Sequence, residues 1–114
     1  MTLSEFNDDY YFHDSILNKL EYSNGELKLY CEFCNFMQEN YDDKEHTNSD
    51  IIVIFHNSEY KISGKWQVCE SCFLDQRLEN DSIIFFMESS PYEFGELSIK
   101  ADSAEILKVR TYNL

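Results

Sequence analysis

Glycine and proline are nearly missing from this chain. Three glycines and one proline in 114 residues leave no linker that could divide it, so a single domain over residues 1–114 is expected. Arginine is scarce as well. Arg77 and Arg110 are the only two, a poor supply for the bidentate clamps that phosphate or carboxylate substrates need. The longest apolar runs, 51–55 and 83–87, are far too short to cross a bilayer. The opening MTLSEFNDDYY is acidic where a secretory signal is basic and then apolar. These absences predict a soluble, cytoplasmic protein whose thiols stay reduced. H-E-x-x-H, G-x-S-x-G and phosphate-cradling glycine loops are absent too. Carboxylates are so plentiful that choosing an acid/base pair is arbitrary, and the sequence makes no positive case for an enzyme.

Positive charge is the other shortage: 22 acids stand against 9 lysines and arginines, a formal net charge of −13. Residues 1–50 hold twelve of the acids and three lysines. Such a chain repels nucleic acid and anionic membranes and is drawn to a basic protein or to cations. The competing reading is that the acidity only keeps the protein soluble.

What is present favours sheet. Hydrophobic residues make up 43% and aromatic residues 16%, the latter mostly Phe and Tyr, which suit strands. Asn24-Gly25 is the dipeptide of a type I′ hairpin turn. It sets Tyr22 against Leu27, Leu20 against Leu29, Asn18 against Cys31 and Ile16 against Phe33 on one face. Glu21–Lys28 and Lys19–Tyr30 fall on the other. Thr2-Leu-Ser-Glu5 fits a capping box, but Asp8-Asp9 would end a helix badly, so residues 1–12 read as an arm or irregular lead-in with at most one short helix. The interval 35–50 is a polar loop. Ile51–His56 reads as a central strand, and Tyr60–Val68 as a second hairpin turning at Ser63-Gly64. Segment 69–78 is ambiguous between helix and strand. Strands follow at 83–87, 96–100 and 105–110, the first entered through Asn80-Asp81. The expected fold is mainly β, or α+β with one short helix: an antiparallel sandwich, meander or open barrel built on the N-terminal hairpin.

All four cysteines fall in two C-x-x-C pairs, Cys31/Cys34 and Cys69/Cys72. Two such pairs suit a structural Cys₄ zinc site, each presenting two thiolates along one tetrahedral edge. Against this, neither pair carries the glycine or proline of a tight knuckle, and 34 residues separate them. A regular strand past Cys31 would also turn Cys34 to the opposite face, so the site requires the strand to end or bulge at Glu32-Phe33. The alternatives are four plain thiols or, since nothing reads as βαβ, a less expected redox pair. His13-Asp14 is not a dyad on an extended chain, and Asp14 or Ser15 is expected to accept backbone hydrogen bonds. His56 fits a satisfied strand-end residue; His46 lies in the polar loop.

Aromatic residues set among acids are the stronger functional signal. Tyr10 and Tyr11 follow Asp8-Asp9, Tyr41 precedes Asp42, Asp43 and Glu45, and Tyr92 and Phe94 flank Glu93. Tyrosine supplies apolar area with a hydroxyl, and carboxylates match a partner's arginine or lysine. Tyr10, Tyr11, Tyr41, Asp42, Asp43 and Glu45 are therefore the candidate partner-binding residues.

The opening Phe12-His-Asp-Ser-x-Leu17, followed by the Asn24-Gly25 hairpin, resembles a group of small uncharacterised bacterial β-rich proteins, some of them immunity-protein-like. Gly95-Glu-Leu-Ser-Ile99 extends the likeness. The resemblance implies a compact β-rich protein that works by binding and carries over no catalytic residue. The leading expectation is thus an acidic, non-enzymatic binding protein, in its most concrete form an immunity protein masking a basic toxin. The rivals are a zinc-stabilised interaction module and a small hydrolase or thiol enzyme using His13 or a C-x-x-C pair.

Overall fold

The computed structural model describes residues 1–38, 48–90 and 92–112, the side chains of 36 and 110–112 excepted. The capping box forms: Thr2 Oγ1 accepts from the Glu5 amide and Glu5 Oε1 from the Thr2 amide. It starts helix α1 (Leu3–Asp9), which buries Leu3 and Phe6. The lead-in expected to be irregular is thus a helix, because capping and two buried side chains outweigh an unfavourable Asp8-Asp9 end. Eight antiparallel strands follow: β1 (Ile16–Ser23), β2 (Glu26–Cys34), β3 (Asn48–His56), β4 (Glu59–Gly64), β5 (Ser71–Glu79), β6 (Ser82–Ser89), β7 (Glu93–Lys100) and β8 (Ser103–Tyr112). A short 3₁₀ turn, Asn35–Met37, follows β2. The fold is mainly β with one short helix. No helix among the described residues is long and apolar enough to cross a membrane.

The β1–β2 hairpin forms on its predicted turn, with Asn24 and Gly25 both at positive φ. Tyr22–Leu27, Glu21–Lys28, Leu20–Leu29 and Lys19–Tyr30 pair as expected. Beyond them a one-residue bulge at Asn18 sets Leu17 opposite Cys31 and Ile16 opposite Glu32. The bulge is a correction with a plain cause. It turns Leu17, fully buried, into the core in place of an asparagine that would lack partners there.

The strands form one sheet in the order β4-β7-β6-β5-β1-β2-β3-β8. Only Asn57-Ser58 joins β3 to β4, a link that reaches roughly 11 Å. Flat, the sheet would hold those strands about 29 Å apart at ~4.8 Å per strand. It must therefore curl, and the β3–β4 corner is pinned by the Ser58 amide donating to Gly25 O at 2.7 Å and Tyr22 Oη donating to Ser58 O at 2.5 Å. The expected 60–68 hairpin does not form; β4 instead pairs along its whole length with β7. The ambiguous 69–78 segment is strand, since Ser71 and Phe73 alternate into the interior.

Inside the curl, Phe12 packs against Phe33, Phe73 and Phe85 at ring separations of 4.9, 5.1 and 5.5 Å, and Phe6 packs edge-on to Phe55. A bulge between Phe73 and Asp75 turns Gln76 toward this interior. Its amide there accepts from the Phe12 N–H and donates to Tyr10 O and Asn7 Oδ1. One glutamine thus fastens the helix and its exit to the concave face.

Candidate binding surface

Outward-facing residues of β2 and β3 build a groove of about 530 Å³. Strict alternation in β2 sends Leu27, Leu29, Cys31 and Phe33 inward, leaving Tyr30 and Glu32 outside beside Ile52 and Asp50 of β3. Val109 of β8, Asn18 at its bulge, and Glu70, in the turn before β5, join the lining, with Cys31 and Ile51, both buried, at its base. Tyr30 and Ile52 give an apolar floor. Glu32, Asp50 and Glu70 give a rim of carboxylates, and the described lining holds no lysine or arginine. Glu32 and Asp50 stand directly opposite in the ladder, a like-charge pairing that costs stability; Asp50 in turn faces Arg110 of β8.

Tyr30 is held rigidly. Its hydroxyl donates to Glu21 Oε1 at 2.5 Å, and the Lys19 ammonium lies 5.3 Å from its ring centre. That hydrogen bond holds the Glu21 carboxyl below the usual carboxylate range and pushes the Tyr30 phenol up. An aromatic fixed in this way loses little entropy when a partner covers it.

Of the candidates named from the sequence, Tyr10 and Tyr11 lie among the described residues, and their surroundings differ. Tyr10 is half-buried between Phe6 and Phe33 and belongs to the rim of the core. Tyr11 is exposed and stacks on His13 at 5.8 Å. Burial, followed by the charges of Asp75 and Asp14 and a hydrogen bond to Asp75, pushes its phenol up. Gln38 brackets the Tyr11 backbone, accepting from its N–H and donating to its carbonyl. Tyr41, Asp42, Asp43 and Glu45 lie outside the described residues. Tyr11, His13, Asp14 and Asp75 therefore make a second acidic-aromatic corner. His13 Nδ1 donates to Leu74 O at 2.5 Å, leaving Nε2 3.5 Å from Asp14. Ser15 Oγ accepts from the Cys34 amide, the structural role expected at that position. His56 ends β3 between Glu26 and Glu105.

The zinc donor set does not assemble. β2 runs on through Cys34 without the required break, so Cys31 faces the core and Cys34 the opposite side. Burial pushes the Cys31 thiol up. Cys69 is exposed outside the strands, and Cys72 sits half-buried on β5. Burial, then Asp14, Glu88 and Cys34, pushes the Cys72 thiol up as well. Among the described residues no group of three or more His, Cys, Asp or Glu could hold a metal.

The groove residues Tyr30, Glu32, Asp50 and Ile52 carried a legible signal: strand alternation marks them as outward. Glu70 and Val109 carried none, because only the curl and the β8 pairing bring them there. Comparison of the chain with family models, curated proteins and solved structures finds no match.

Proposed function

We propose that this protein is a non-enzymatic binding protein whose groove receives a basic surface of a protein partner. Its most concrete form is an immunity protein that masks a basic toxin. One observation carries the reading: an apolar floor containing a hydrogen-bonded tyrosine, rimmed by the carboxylates of Glu32, Asp50 and Glu70. The net charge of −13 accelerates encounter with a cationic surface, and Tyr30 with Ile52 supplies the area that slows release.

A photo-crosslinking residue at Ile52 is expected to trap a basic protein in the native cell, whereas the same residue at Ser98, on the outer face of β7, is not. With that partner purified, Glu32→Lys/Asp50→Lys should slow association and flatten its salt dependence. No adduct specific to Ile52, or an association rate indifferent to the charge reversal, defeats the proposal.

A further inference from the structure

Among the described residues the sheet ends in two edges, β4 and β8, and they are guarded differently. At β8 the first rung is taken: Met1 and Ala104 exchange backbone hydrogen bonds at 2.8 and 2.9 Å. Farther along, β8 carries a bulge near Val109 and Lys108 on its edge. Caps, bulges and edge lysines are the usual means of preventing strand addition.

The β4 edge carries a lysine as well, Lys61, but among the described residues it has neither the cap nor the bulge. Its pairing with β7 is unbroken from Glu59 to Gly64, every one of its residues is exposed, and among the described residues it pairs with no other strand. Lys65 N–H donates to Phe94 O. By alternation, positions 59, 61, 63 and 65 bond toward β7, while Tyr60, Ile62 and Gly64 aim their backbone groups outward. Tyr60 and Ile62 remain 37% and 40% exposed although they share the face of Leu97 and Ile99, because no described strand closes the seam beside them. Exposed Tyr22 packs edge-on to Tyr60 there.

Local charge selects the occupant. Residues 59–65 hold one acid and two lysines, inside a chain that carries 22 acids against 9 bases. We infer that β4 is a homodimerisation edge, pairing antiparallel with β4 of a second copy about a two-fold axis at Ile62. This register puts Ile62 opposite Ile62 as a hydrogen-bonded pair. Tyr60 then lies across from Gly64, covering a residue that has no side chain of its own. Glu59 faces Lys65, the residue just past Gly64, twice, as a close non-hydrogen-bonded pair. The inference is independent of the groove, which lies on β2, β3 and β8 and stays open in such a dimer.

Analytical ultracentrifugation over a concentration series is the test. The wild-type chain should sediment reversibly at twice its 13.6 kDa mass. Ile62→Pro removes only an outward N–H, leaving the β4–β7 bonds intact, and should weaken the dimer by at least about thirtyfold. Glu59→Lys or Lys65→Glu alone should weaken it roughly tenfold, and the two together should restore it, since opposite charges meet again. Melting temperature monitors folding in every variant. A chain that stays monomeric up to its solubility limit overturns the inference. A dimer that survives Ile62→Pro, or a double swap that fails to restore association, overturns it as well.

Discussion

The two ends of the curled sheet solve opposite problems with the same kind of strand. Toward β8, outward residues of β2 and β3 concentrate carboxylates beside an apolar floor, and the edge itself is capped and bulged. At β4 the acids thin out, the pairing runs without a bulge and the apolar residues lie along the open seam. A strongly acidic chain repels its own copies wherever its mean charge prevails. Self-association is therefore cheapest where that charge lapses, and capture of a basic partner is strongest where it gathers. On these two proposals, one net charge serves two contacts by being unevenly spread.

The sharpest way to break the contrast is at Gly95. A Cβ there would lie 2.0 Å from Ser63 O and 2.3 Å from Trp66 Cδ1, so Gly95→Ala must push β4 and Trp66 away from β7. A loss of about 3 kcal/mol is expected in denaturant unfolding, with weakened dimerisation and an intact groove. Equal damage at both ends would show that the two are not separable. Next comes Glu32→Lys/Asp50→Lys, expected to slow partner association by about a hundredfold at low salt. Its effect should shrink as the Debye length falls to about 8 Å, and the sedimentation of β4-linked dimers should not change.

Gly25→Val probes the corner that both ends share. A Cβ there meets Asn57 Cα at 3.8 Å and Ser58 N at 4.0 Å, ordinary contacts, so the cost is backbone strain at φ +76, roughly 1–2 kcal/mol. Lys28→Ala on the same hairpin should cost well under ~1 kcal/mol. The cysteines offer a milder test. Exposed Cys69 should alkylate first, half-buried Cys34 and Cys72 later, and Cys31 only as the chain unfolds. A single shared rate for all four would revive the tetrahedral site.

The smallest effect is local to the groove. Because the Tyr30 hydroxyl depresses Glu21, that bond contributes stability above the unfolded carboxyl pKa and loses it as pH falls through the lower folded value. The raised Tyr30 phenol behaves in the opposite sense, contributing below its unfolded pKa and failing as pH rises through the folded one. Tyr30→Phe should return the Glu21 carboxyl titration, followed by NMR, to the ordinary carboxylate range while leaving the melting temperature nearly unchanged.

Local pattern alone specified a good part of this molecule. Asn24-Gly25 set the hairpin and its inner register, because positive φ at two positions and period-two alternation are properties of neighbouring residues. The capping box, the turn at Asn80-Asp81 and the apolar runs of β3 and β6 were legible for the same reason. Tertiary structure decided what no window of sequence contains. Residues 59–64 looked like half of a local hairpin but found their partner in β7, since six residues of edge strand carry no address of their own. The bulges at Asn18 and Leu74 appeared only once burial had to choose which side chain turns inward. The cysteine spacing promised one site, yet alternation through Cys34 put its members on opposite faces. Glu70 and Val109 joined the groove because the sheet curls, and curling follows from joining strands at distant sheet positions by two residues. Sequence sets faces and turns through nearest-neighbour geometry; which faces meet depends on closing long loops around one core.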